Sequence, residues 1–306
     1  MAILITVLEQ GLIFGILALG VYLTYKVLDF ADLSVEGTYP LGASITAILL
    51  TQGASPLLAI LISLVGGMAA GAVTGFLHVK LKITNLLSGI LVMSALYSIN
   101  LRVMGNKSNI PLFNEQTIFN QGVLINKTVP LLLTIIIIVV LVKLIIDLFL
   151  KTKFGFMIKA TGDNSQLVTT LGVNLGFVKI VCLMISNGLV ALAGSLSAQY
   201  QGFADVTMGT GTIVIGLAAV IFGEAIFKKS KWILPTTMAI IGAVLYQSCT
   251  AIALQLGFPP NDLKLLSALI VTLALALNSQ AFKSMRKTRK VQIGGATSHV
   301  KHTTTK

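Results

Sequence analysis

Charge is what this sequence has least of. Only 10% of its 306 residues are Asp, Glu, Lys or Arg, where a soluble domain carries about 25%. Hydrophobic residues make up 55% and the mean hydropathy is +0.92. A water-soluble fold of this composition would expose more apolar surface than so few charges can cover. A bilayer accepts such a chain, because the solvent around the fold is itself apolar. Acids are scarcer than bases, 10 against 22, for a net charge of +12. In a soluble protein that excess would suggest nucleic acid. Here the bases sit between apolar runs and near the end of the chain, where they set orientation and meet anionic lipid; nucleic acid is not an expected partner. The three His residues, His78, His299 and His302, are scattered, so no metal site is expected. Both Cys residues, Cys182 and Cys249, fall inside apolar runs and read as packing residues. No nucleophile–base arrangement is visible, so no catalytic residue is expected. No Gly-x-x-x-x-Gly-Lys-Ser/Thr stretch exists either, which leaves the chain without a phosphate-cradling loop or an ATPase of its own.

What the sequence has in quantity is long apolar runs. They lie at about 3–25, 39–52, 55–78, 85–103, 129–150, 177–199, 208–227, 232–254 and 262–280. A membrane crossing takes roughly 20 apolar residues. The expected fold is therefore an all-α, polytopic transmembrane helical bundle with about 8–10 membrane segments, some short or broken. The first run has no basic residue ahead of it and ends at Lys26, so it reads as a retained helix, not a cleaved leader. Lys26, then Lys80 and Lys82, then Lys151, Lys153 and Lys159, then Lys228, Lys229 and Lys231 fall on alternate connections. The positive-inside rule makes that side cytoplasmic, together with the basic stretch 281–306, which is expected to be disordered. The 104–128 connection is then external. Residues 1–280 form one transmembrane domain.

An internal repeat is also legible. Phe30-Ala31-Asp32 returns as Phe203-Ala204-Asp205, and Gly37-Thr38 and Gly42 return as Gly211-Thr212 and Gly216 after a one-residue insertion. The Asp match carries the weight, because the chain has only six Asp. In each copy a long helix precedes the motif and a Gly-rich apolar segment follows it. An odd number of crossings separates the copies. The expectation is an inverted repeat, with units about 9–150 and 177–280, of the kind that brings broken helices together at the membrane midplane.

Residues 151–176 form the most informative connection. Asp163 is expected to cap a short helix, with Gln166 completing the capping box and Gly172 ending it. Leu167, Val168 and Leu171 give that helix one apolar stripe, suited to the membrane surface or to a partner's groove. Lys159-Ala160-Thr161-Gly162-Asp163-Asn164, followed by Leu171-Gly172-Val173-Asn174, resembles the cytoplasmic coupling loop of the ABC importer permease family that includes branched-chain amino-acid and ribose-type permeases. Three more stretches resemble that family, in the family's order: Phe30 to Thr38, Leu192-Ala193-Gly194 to Tyr200, and Gly216 to Glu224.

The resemblance implies a non-enzymatic permease that works as a homodimer. Cytoplasmic ABC ATPase subunits, holding ATP and Mg, would dock on Ala160, Thr161, Gly162, Asp163, Asn164, Gln166, Leu167, Leu171 and Gly172. An extracellular substrate-binding lipoprotein would deliver the solute, and this chain itself would bind no cofactor. It implies a bacterial cell membrane and a cytoplasmic C-terminus. The expected pathway residues are Asp32, Ser34, Glu36, Gly37 and Thr38, Asn85 and Ser88, Gln199, and Met208, Thr210 and Thr212. Ser94 and Asn100 extend the polar side of the fourth run. Phe30-Ala31 leans towards an amino-acid substrate, aromatic or branched-chain, whereas Asp32-Leu33-Ser34-Val35 leans towards a sugar or nucleoside. Glu36 stands where sugar members have a small residue. The alternative class is an ion-coupled secondary transporter in which Glu9 or Glu36 carries protons.

Overall fold

A computed structural model describes residues 2–120, 131–170, 172–227 and 233–259, and a few single positions from 262 to 272. The described chain is almost wholly helical. The apolar runs become α1 (Ala2–Val21), α2 (Val35–Thr51), α3 (Pro56–Val79), α4 (Asn85–Val103), α5 (Leu131–Lys151), α8 (Leu175–Gln201), α9 (Thr212–Phe227) and α10 (Pro235–Gln255). Among the described residues six helices are long and apolar enough to cross a membrane. The first of these continues past α1 through a wider π-helical stretch, Tyr22–Val27. α2 and α9 are shorter, at 17 and 16 residues or about 25 Å. The ninth run, 262–280, lies almost entirely outside the described residues, and the 281–306 stretch wholly outside them.

Helix ends are set by local chemistry. Ser55 Oγ accepts from Leu58 N at 3.4 Å with Pro56 opening α3, and Asn174 Oδ1 accepts from Phe177 N at 3.2 Å at the start of α8. Such acceptors satisfy amides that have no partner inside the helix. Gly202, at φ +77°, ends α8 in the left-handed conformation that glycine adopts without strain.

Two features depart from the sequence reading. The 151–176 connection holds two helices, α6 (Lys153–Asp163) and α7 (Ser165–Thr170). Thr152 Oγ1 caps α6 by accepting from Gly155 N at 3.2 Å. Asp163 is thus the last residue of α6 and not the cap of the next helix; at the start of α7, Asn164 Oδ1 accepts from Gln166 N at 3.1 Å. The capping box fails because Lys153–Asp163 is itself amphipathic enough to form a helix, and that displaces the start by one residue. The second departure is a small antiparallel ribbon. β1 (Asn109–Pro111) pairs with β2 (Phe203–Asp205) in the register Asn109↔Asp205, Ile110↔Ala204, Pro111↔Phe203. Three-residue strands give no periodic signal for a sequence reading to detect.

The core is built on the two long helices. α2 and α3 pack on α8, α9 and α10 pack on α1, and α1 packs on α8. Glycines allow the closest crossings: a Cβ at Gly42 would meet Ala191 O at 2.0 Å, and one at Gly71 would meet Leu183 O at 2.2 Å. Small residues at such crossings let backbones approach, which is how helices associate where lipid offers no hydrophobic drive.

Candidate translocation site at the junction of two short helices

Phe30-Ala31-Asp32 lies just ahead of α2, and its Asp is 3% exposed. Asp32 Oδ1 accepts from the Ser34 backbone N at 2.9 Å and from Ser34 Oγ at 2.5 Å. Asp32 Oδ2 accepts from Asn187 Nδ2, in the middle of α8, at 2.7 Å. Thr38 Oγ1 donates to Asn187 Oδ1 at 2.7 Å. Asp32, Ser34, Thr38 and Asn187 thus form one hydrogen-bonded cluster tying the start of α2 to α8. Each donor to a buried carboxyl group matters because the interior offers no water to replace it.

The second copy of the motif repeats this local geometry. Asp205 Oδ1 accepts from Thr207 N at 2.7 Å and from Thr207 Oγ1 at 2.6 Å, just as Asp32 holds Ser34 two residues on. Asp205 also accepts from Asn109 Nδ2 at 3.2 Å. Partial burial works to raise its pKa, but the Thr207 and Asn109 donors outweigh it and hold the carboxyl below the ordinary aspartate value.

The two short helices meet at their N-termini. Glu36, in the first turn of α2, accepts through Oε1 from Gly211 N at 3.0 Å, one residue before α9. A Cβ at Gly209 would lie 2.0 Å from Glu36 O and 2.6 Å from Pro40 Cδ. Pro40 has no N–H to offer the carbonyl four residues back. The junction therefore joins two helix N-termini, a carboxylate and a proline.

Beside the junction lies a cavity of about 480 Å³, walled by Glu36, Gly37 and Pro40 of α2, by Met93, Ser94, Tyr97 and Asn100 of α4, and by Val206, Thr207 and Thr210. Its volume suits a small solute. Asn100 is fully buried, and its Nδ2 donates to Gly37 O at 3.1 Å. Its Oδ1 has no partner. An unpaired buried acceptor costs about 1–3 kcal/mol, so its presence calls for an explanation. Thr210 also borders a larger, mainly apolar cavity of about 970 Å³ between α1, α9 and α10.

Of the pathway residues expected from sequence, Glu36, Gly37 and Thr210 line the smaller cavity, and Asp32, Ser34 and Thr38 lie in the cluster beneath α2. Met208 is partly buried against the core, and Thr212 Oγ1 donates to Gly209 O at 2.7 Å. Ser88 donates to Asn85 O at 2.8 Å at the start of α4, away from the cavity. Gln199 sits at the other end of the bundle, where its Oε1 accepts from Ile118 N at 3.0 Å. Glu9 accepts from Tyr200 Oη at 3.0 Å and is not part of the cavity wall. Asn187 and Tyr97 were missed. Asn187 carried a signal, an amide alone among apolar and small residues; Tyr97 carried none.

The expected docking residues gather around α6 and α7. Gly162 packs on the end of the first helix, where a Cβ would meet Val27 O at 2.1 Å. Thr161 is buried, its Oγ1 donating to Met157 O at 2.8 Å. Lys159 Nζ donates to Leu150 O at 3.4 Å. Gly172 has φ +75° and donates to Thr169 O at 3.0 Å, and Val173 N reaches Val168 O at 3.3 Å, which closes α7. Leu171 and the side chain of Leu167 lie outside what is described.

Among the described residues, six helices long and apolar enough to cross a bilayer make this a multi-pass membrane protein. A family described as branched-chain amino acid transport system / permease component matches residues 3–276, and the chain belongs to that family of ABC-type permeases. A tyrosine transport system permease protein of Clostridioides difficile is 50% identical over 285 residues, covering 93% of this chain and 94% of that protein. An uncharacterized protein of Rickettsia prowazekii is 36% identical over 90% of this chain and 98% of its own length. A galactofuranose transporter permease protein of Escherichia coli is 26% identical over 92% of this chain and 81% of its own length. No solved structure matches the chain.

Proposed function

We propose that this chain is the membrane-spanning subunit of an ATP-driven importer for an amino acid, with tyrosine the first substrate to test. The observation that carries the reading is the 50% identity with a tyrosine transport system permease over 93% of the chain. The sugar-linked relative covers nearly as much of the chain at only 26% identity, so an amino-acid substrate is favoured over a sugar or nucleoside. In this reading two copies form the pathway in a bacterial cell membrane. A substrate-binding lipoprotein delivers solute outside, and ABC ATPases holding ATP and Mg dock on α6 and α7 inside. The chain binds no cofactor and hydrolyses nothing. Gly162 supports the coupling role: it places the docking segment in contact with the backbone that leads into Asp32 and α2. A movement of α6 would then be felt at the junction of the two short helices.

The test is uptake of labelled tyrosine in cells that lack and then regain this gene. Uptake should return with the gene, and should persist when a protonophore collapses the proton gradient while ATP is maintained. Loss of uptake under protonophore with ATP intact would favour the ion-coupled alternative.

A further inference from the structure

We infer that the cavity between α2 and α4 is a binding site for the ammonium group of the transported amino acid, with Glu36 and Asn100 as its acceptors; the inference rests on the reading of the chain as an amino-acid permease. Among the described residues the wall holds one carboxylate, Glu36, and no Lys, Arg or His. A cationic guest balances such a wall, and an anionic one is repelled by it. Asn100 adds a directional argument. Its Nδ2 is committed to Gly37 O at 3.1 Å, and because a carbonyl can only accept, this fixes which way the amide faces. The atom left without a partner is the acceptor Oδ1, so what completes it is a donor. An ammonium offers three donors and one positive charge. Met93 and Tyr97, from the same face of α4, offer an apolar and aromatic surface to the rest of the solute, and the Tyr97 ring can also take a cation on its face. Glu36 is held in place by Gly211 N at 3.0 Å. The site therefore spans the start of α2 and the segment that leads into α9, and a change in how these meet would dismantle it, as a release step requires.

The test uses the full chain in nanodiscs and saturation-transfer NMR with three probes. These are L-tyrosine, tyramine, which keeps the ammonium without the carboxylate, and 3-(4-hydroxyphenyl)propionate, which keeps the carboxylate without the ammonium. Tyrosine and tyramine should bind and the propionate should not. Glu36→Gln keeps an acceptor for Gly211 N and removes only the charge; Asn100→Leu removes the unpaired acceptor. Each should weaken tyramine binding by roughly tenfold or more, the size expected for losing a charge-assisted hydrogen bond. Equal binding of tyramine and the propionate, undiminished tyramine binding by Glu36→Gln, or no signal from any probe would overturn the assignment. Tyrosine uptake by the unaltered chain in cells is measured in parallel. Uptake without any ammonium preference removes this inference alone; absence of amino-acid uptake removes the functional reading beneath it.

Discussion

At the scale of single residues, the Asp32–Asn187 contact links the start of α2 to the centre of α8. Asp32 is 3% exposed and Asn187 fully buried, so neither can turn to water if the other is lost. Replacing Asn187 by Leu would strip a donor from the buried carboxylate and an acceptor from Thr38 Oγ1. Thr38 Oγ1 still reaches Ser34 O at 3.0 Å, so the loss falls mainly on Asp32 Oδ2, and leaving such a buried group unpaired costs about 1–3 kcal/mol. Asn187→Leu should therefore lower the Tm of the purified chain in detergent. The exchange Asp32→Asn with Asn187→Asp keeps one carboxylate and one amide in contact and should recover much of the loss. Equal Tm values for Asn187→Leu and the unaltered chain would show that the cluster contributes nothing. The sequence made half of this contact legible. Asp32 stands out because acids are rare here, whereas Asn187 lies 155 positions away and only tertiary packing brings the two together.

At the scale of elements, apolar length was enough to locate the helices. α4 occupies 85–103, as its apolar run predicts, because a membrane helix needs little beyond an unbroken stretch of the right length. Elements whose existence depends on a distant partner were not legible, and the β1–β2 ribbon is the plainest of them. Its stability includes an ionised Asp205, fed by Thr207 and Asn109. The sign of the pH effect follows from the lowered carboxyl. The unfolded value is about 3.9, so the contribution is fully present above that pH and is lost as pH falls through the still lower folded value. Amide exchange at Asn109 and Ile110 and in 203–207, corrected for intrinsic rates, should be unchanged between pH 7 and pH 5 and should quicken near pH 3. Asp205→Asn should quicken it at pH 7 and pH 5 and largely remove the pH dependence. A ribbon equally protected at pH 3 and pH 7 would mean that the carboxylate does not hold it.

At the scale of the whole molecule, the arrangement of helices bears on how the pathway works. α2 and α3 pack on α8, the long helix of the second unit, while α9 and α10 pack on α1, the long helix of the first. This reciprocal packing is what two units related by a twofold axis in the membrane plane would give, with the N-termini of α2 and α9 meeting where the axis passes. The two Asp motifs, each holding the hydroxyl and amide two residues on, fit that relation locally. The inverted repeat makes a topological prediction. Between the α2–α3 connection and the start of α10 lie α3, α4, α5, α8 and α9, five passages along the bundle, so the two points should face opposite sides of the membrane. By the positive-inside rule, the basic residues of the 80–82 and 151–159 segments predict a cytoplasmic position for the start of α10. Gln52 and Leu234 are exposed at these two points and are chosen to carry a reporter. With Cys182 and Cys249 replaced by Ala, a membrane-impermeant maleimide on intact cells should label Gln52→Cys and spare Leu234→Cys, and permeabilisation should expose the latter. Labelling of both from outside would refute the inversion. The reverse pattern would keep the inversion but turn the molecule over, placing α6 and α7 outside, where no cytoplasmic ATPase could reach them, and the ATP-driven reading would fall with it.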